Sequence, residues 1–106
     1  FPCAPVRVLS SQCFCSAEGD DPFELGESTD CTFDCAGDDS QTCGGRNAMN
    51  IYEFDSEYEF LGCFADSSSA RVLTGPSKKR DSTMTAAVCS AFCGDVPFFG
   101  TQFGNE

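Results

Sequence analysis

Nine cysteines in 106 residues set the terms for this chain. A domain of this length buries limited apolar surface, and small folds add covalent staples to compensate. This cysteine density falls in the range of a disulfide scaffold. Zinc is the other use of many cysteines, but the chain has no histidine. Its Cys13-Phe14-Cys15 run and its two CxxxC pairs, Cys31/Cys35 and Cys89/Cys93, also lack the paired CxxC spacing of a zinc ribbon. The expectation is therefore disulfides in an oxidising, extracellular or secretory setting, with no metal and no cofactor. Nine is odd, so one thiol is free, bonded to another chain, or paired with a cysteine outside this sequence.

Period and punctuation give a coarse reading of the elements. Residues 5–16 are extended, and the CFC run points Cys13 and Cys15 to one face and Phe14 to the other. Residues 17–27 form a loop rich in Gly, Asp and Pro. Residues 28–39 read as a short helix capped by Ser28, Thr29 or Asp30, which stacks Cys31 and Cys35 at i, i+4. Residues 40–46 read as a turn and 47–54 as a strand. After the break Asp55-Ser56-Glu57 comes a second strand, 58–66. Arg71-Val72-Leu73 reads as a short strand and residues 74–82 as a polar loop. Thr85 caps the clearest helix, which Gly94 ends. Met84, Val88 and Phe92 form its core-facing stripe, and Cys89 and Cys93 again stand at i, i+4. Residues 96–106 are strand-like. The fold class expected is a small disulfide-rich α+β domain, an antiparallel sheet with short helices carrying CxxxC pairs.

Net charge is −11, which argues against nucleic acid and anionic lipid as partners. Residues 1–53 carry ten acidic side chains against Arg7 and Arg46. Residues 54–106 carry seven against Arg71, Lys78, Lys79 and Arg80. No apolar run approaches a membrane span. The lack of an initiator Met and of an apolar signal region is expected of a processed product.

The ordered cysteines and their neighbours resemble the WSC domain, a small module of fungal cell-wall sensors, kremen-type receptors and secreted carbohydrate-active proteins. The resemblance runs in permuted order. Residues 58–106 resemble its first half, through Gly62-Cys63-Phe64-Ala65-Asp66, Arg71-Val72-Leu73, Met84-Thr85 and Cys89-Ser90-Ala91-Phe92-Cys93. The aromatic, glycine-rich stretch Phe99 to Glu106 continues that match. Residues 1–54 resemble the second half, through Cys13-Phe14-Cys15, Cys31 to Cys35, Cys43-Gly44-Gly45 and Ile51-Tyr52. Ser16 after CFC and Val88 depart from the usual pattern without touching the cysteines.

The resemblance implies a pairing: Cys35 with Cys43, Cys31 with Cys63, Cys13 with Cys89, and Cys15 with either Cys3 or its duplicate Cys93. It leaves two architectures open. In one, residues 1–54 end one module, 55–57 link, and 58–106 begin the next. Cys13, Cys31, Cys63, Cys89 and Cys93 then bond outside the chain. In the other, the two halves complete each other as a permuted module, or complete a neighbouring copy, and 55–57 becomes a hairpin turn. The tandem form is the preferred expectation, because Glu106 stops just short of an expected Cys.

Catalysis finds little support. Glycoside hydrolysis needs two carboxylates across a cleft. The adjacent pairs Asp20/Asp21 and Asp38/Asp39 sit in loops, where neighbours point apart into solvent. No histidine is present for a triad. The resemblance implies instead a non-enzymatic extracellular or cell-surface module that binds or anchors to wall polysaccharide. Tyr52, Tyr58 and Phe99 are the candidate stacking rings, and Asp66, Arg71, Gln102 and Asn105 the candidate hydrogen-bonding groups. Ser67, Ser68, Ser69, Ser77, Ser82 and Thr83 are candidate O-glycan acceptors. The alternative is a structural repeat of an extracellular filament or surface array, partnered by neighbouring copies or adjacent modules.

Overall fold

The computed structural model describes residues 11–67 and 69–103. Its elements follow in the order β1 (Ser11–Cys15), β2 (Asp34–Cys35), β3 (Asp38–Thr42), β4 (Ala48–Asp55), β5 (Glu57–Ala65), β6 (Ser77–Asp81), α1 (Ala86–Cys93) and β7 (Phe98–Phe103). Five strands make one antiparallel sheet in the order β5-β4-β7-β1-β6, and β2 with β3 makes a separate hairpin. The described residues thus form a small, disulfide-rich, mostly antiparallel β domain with one short helix.

Strand alternation sorts the core into two layers. On the helix side lie Cys13, Cys35, Cys43, Tyr52, Met84, Ala86, Cys89 and Phe99. On the other face lie Phe14, Met49, Ile51, Val72 and Leu73. The CFC run therefore divides as its period requires. Few large apolar side chains are fully buried, chiefly Phe99, Met49, Ile51, Leu73 and Met84. Each contributes about 1.5–3 kcal/mol, a modest core that leaves room for covalent staples.

Helix α1 forms where its caps place it. Thr85 Oγ1 accepts from the Val88 amide at 3.1 Å, and the Gly94 amide donates to the Ser90 carbonyl. Of its expected stripe, Met84 is buried and Val88 half-buried, but Phe92 is exposed.

Residues 28–39 do not form the second helix. Cys31 is drawn to β5 by its bond to Cys63, and Cys35 is drawn to Cys43 across the β2–β3 hairpin. One helix face cannot satisfy two partners in different directions. The turn expected at 40–46 narrows to the Cys-Gly-Gly corner, because residues 40–42 belong to β3. Arg71-Val72-Leu73 is not a strand, although Val72 and Leu73 are buried. The polar stretch 74–82 contains β6, an edge strand held by backbone pairing to β1 rather than by apolar side chains.

The break at Asp55-Ser56-Glu57 is a hairpin turn. Asp55 pairs with Glu57, and Ser56 takes the left-handed conformation with φ 64°. Strand β7 lies between β1 and β4, so residues before and after this turn alternate in one sheet. Cys13, Cys31, Cys63, Cys89 and Cys93, which a tandem array leaves to outside partners, are all bonded inside this chain.

Candidate functional site

Four disulfides close the fold: Cys13–Cys89, Cys15–Cys93, Cys31–Cys63 and Cys35–Cys43. Cys15 takes Cys93 rather than Cys3. Cys3 lies outside the described residues, and the other eight cysteines are used up. The Cys-Gly-Gly corner explains itself sterically. Gly44 has φ 67°, and a Cβ there would meet the carbonyl oxygens of Ala48 and Thr101 at 2.6 Å. Its amide donates to Asn50 Oδ1, whose amide nitrogen in turn donates to Thr42. A Cβ on Gly45 would overlap the Asp30 carbonyl.

The aromatic candidates converge. Tyr52 stacks on Phe99 with centroids 4.9 Å apart, and Tyr58 meets both rings edge-on at 5.7 and 5.6 Å. Phe60, absent from the sequence-derived candidates, joins them 5.3 Å from Tyr52. The signal was present: Tyr52, Phe54, Tyr58 and Phe60 occupy alternate positions on the two arms of a hairpin. Tyr52 and Phe99 are buried, whereas Tyr58 and Phe60 are 41% and 54% exposed. Burial, with a smaller repulsion from Tyr58, raises the Tyr52 hydroxyl pKa above its usual 10.0. The opposite hairpin face carries Glu53 across from Glu59 and Asp55 across from Glu57.

The polar candidates form a separate group. Arg71 Nη1 donates to Asp66 Oδ2 at 2.6 Å and to Gln102 Oε1 at 3.0 Å. Its guanidinium sits 4.7 Å above the Phe14 ring. Asp66 Oδ1 accepts from the Val72 amide. Asp66 and Gln102 are 4% and 1% exposed, so this cluster clamps the 66–72 loop onto β7 and β1 and offers little to solvent. It does not meet the aromatic group, because Gln102 and Phe99 lie on opposite faces of β7. Asn105 lies outside the described residues.

The acidic loops are internally committed. Asp20 accepts from the Ala17 amide and from both the amide and hydroxyl of Thr74. Slight burial opposes its ionisation, but these three hydrogen bonds prevail and lower its pKa. Asp38 binds the Ser40 hydroxyl and amide and the Gln41 side chain, and its pKa is lowered in the same way. Among the hydroxyl candidates, Ser69, Ser77, Ser82 and Thr83 are exposed and Ser67 half-buried. Ser67 shares a hydrogen bond with Ser69, and Ser68 lies outside the described residues. No helix among the described residues is long and apolar enough to cross a membrane.

Fold and clamps together define a disulfide-stapled α+β module, of the kind that matures in an oxidising compartment. The chain is similar to a WSC domain-containing protein of Arthroderma benhamiae, 29% identical over 106 residues, covering 91% of this chain. It spans 15% of that relative's length. No protein-family profile and no solved structure matches. The resemblance read from the cysteine pattern is thus borne out by a relative and by four closed disulfides.

Proposed function

We propose that the chain is a non-enzymatic extracellular module of WSC type that holds cell-wall or surface polysaccharide on the aromatic face of the β4–β5 hairpin. The observation that carries this reading is the pair of exposed rings, Tyr58 and Phe60, backed by buried Tyr52 and Phe99. Sugar rings present C–H faces to aromatic rings, and rings already fixed by neighbours lose little freedom on binding. Residues 1–54 and 58–106 act here as complementary WSC halves joined at 55–57, a reading that the three disulfides between them support. The test is retention on insoluble β-glucan, chitin and xylan. The native protein is expected to be retained by at least one, and Tyr58→Ser/Phe60→Ser to be lost from it. Failure to bind any of them would sink the proposal.

A second reading, a repeating subunit of an extracellular filament or surface array, is favoured by a different observation. Both outer strands of the sheet, β5 and β6, have an outer side with no strand neighbour among the described residues. Negative-stain imaging of the purified protein tests it, and isolated particles at every concentration would count against it.

A further inference from the structure

We propose that the outer edge of β5, at residues 57–61, takes an added strand from a partner polypeptide, an extended segment in which Lys or Arg alternates with apolar residues. Such docking goes beyond sugar binding and does not depend on it. β5 is an end strand of the five-stranded sheet, and its inner side pairs with β4. Its outer side is covered only toward its C-terminal end. There Glu27 bridges Phe64, the Ser28 amide donates to the Cys63 carbonyl, and the Ala65 amide donates to the Gly26 carbonyl. Among the described residues no strand pairs with the outer side of residues 57–61. An open edge offers N–H and C=O groups at strand spacing, which another backbone matches and a small cation or a sugar does not.

The two faces of this edge call for different side chains. Residues paired across β4 and β5 share a face. Glu57 and Glu59 therefore stand on one face with Asp55 and Glu53, and Tyr58 and Phe60 on the other with Tyr52. The four carboxylates line a shallow cleft edged by Tyr58, and none of them forms an ion pair among the described residues. Like charges directly opposite destabilise a strand pair, and an incoming basic strand relieves them. On the other face Tyr58 and Phe60 are exposed, and apolar side chains of the partner cover them.

Charge on an edge has a simpler use, which is to keep sheets apart. Here it excludes a second β5, which would set glutamate beside glutamate. It does not account for two exposed rings alternating with those glutamates. Charge on one face and rings on the other also fix register, because slipping the partner by one residue takes its cations away from the carboxylates. The pairing shifts between Ile51 and Tyr52, which leaves Leu61 as an extra residue, so the regular edge runs from Glu57 to Phe60.

The test uses the full chain and three capped, fluorescently labelled hexapeptides. One alternates Lys and Val, one alternates Glu and Val, and one reads Lys-Lys-Lys-Val-Val-Val. Binding is read by anisotropy and its place by amide hydrogen exchange. The alternating Lys-Val peptide is expected to bind, to slow exchange within residues 57–61, and to weaken with added salt. The blocked lysine peptide is expected to bind about tenfold less tightly, because only alternation keeps its cations on one face. In Glu57→Lys/Glu59→Lys the preference is expected to reverse, with Lys-Val losing about tenfold and Glu-Val gaining. A non-reducing peptide map checks that this variant keeps its four disulfides. Native protein that does not bind the alternating lysine peptide, or binds both lysine peptides equally, overturns the proposal. So does protection that falls outside residues 57–61, or a charge-reversed variant whose preference is unchanged.

Discussion

The sulfur of Cys13 lies 3.6 Å from that of Cys93, although each is bonded to a different partner. Strand β1 presents Cys13 and Cys15 two residues apart, and α1 presents Cys89 and Cys93 one turn apart. The two disulfides therefore touch. In Cys89→Ser the Cys13 thiolate is placed to attack the Cys93 sulfur, forming Cys13–Cys93 and releasing Cys15 as thiolate. Alkylation with peptide mapping, with any label on Cys3 set aside, is expected to find the newly released thiol divided between Cys13 and Cys15. Label on Cys13 and none on Cys15 would mean the sulfurs do not come within reach.

Arg71 neutralises Asp66, which has no other ion-pair partner among the described residues. Arg71→Ala leaves the buried Asp66 carboxylate unpaired, and the expected loss is about 3 kcal/mol of stability. Arg71→Lys restores charge but neither the second hydrogen bond to Gln102 nor the stacking on Phe14, so it recovers only part. Urea unfolding of the two variants and the native protein measures the order.

Gly44→Ala tests the Cys-Gly-Gly corner. The left-handed φ and the two carbonyls at 2.6 Å leave no room for a methyl group. A loss well above about 1 kcal/mol is expected from the midpoint of chemical denaturation. An unchanged midpoint would show that the corner can relax.

The two disulfides outside α1 close loops of different length. Cys31–Cys63 spans 32 residues and Cys35–Cys43 spans 8. On chain entropy their removal costs about 3–4 and 2–3 kcal/mol respectively. Paired Cys→Ser variants compared by thermal unfolding are expected to rank in that order. The first variant should also lose protection of the Ala65 amide, which bonds the Gly26 carbonyl.

Acid should loosen the loops that Asp20 and Asp38 hold. Both carboxyls are lowered below 3.8 in the fold, so each binds its proton less readily when folded than when unfolded. Their stabilisation is complete above that unfolded value and disappears as pH falls below it through the folded pKa. Stability is expected to be flat near neutrality and to fall under acid conditions, and Asp20→Asn should flatten part of that fall. A native acid limb that Asp20→Asn leaves unaltered would remove Asp20 from this role.

Much of the fold was legible because its signals are local. Thr85 and Gly94 bound α1 since a cap needs only its own turn. The CFC run divides between faces because strand period is local too. The failures lie where a distant partner overrides local preference. Residues 28–39 have caps and i, i+4 cysteines, yet Cys31 and Cys35 are claimed by Cys63 and Cys43. Lys78, Lys79 and Arg80 show no strand signature, because an edge strand is held through its backbone to β1. Asp66, Arg71 and Gln102 were expected to offer hydrogen bonds to a ligand, but they bond one another in a buried clamp, and that burial was invisible in a polar stretch of sequence. Phe60 was passed over although it alternates with Tyr58 and pairs with Tyr52, because alternation puts rings on one face without telling an exposed ring from a core ring.

The sequence by itself determined the class of molecule: a small disulfide scaffold whose ordered cysteines resemble a WSC module in permuted order. Through that resemblance it gave Cys35–Cys43 in either architecture, and it offered Cys31–Cys63, Cys13–Cys89 and Cys15 with Cys3 or Cys93 for a permuted module, whereas the preferred tandem form left these to partners outside the chain. Only the tertiary structure decided that Asp55-Ser56-Glu57 is a turn, that Cys15 takes Cys93, and that five cysteines find their partners inside the chain. The reason is physical. A disulfide forms where two sulfurs meet, and the sheet brings β7 between β1 and β4 from opposite ends of the chain. Spacing along the sequence carries no record of that meeting.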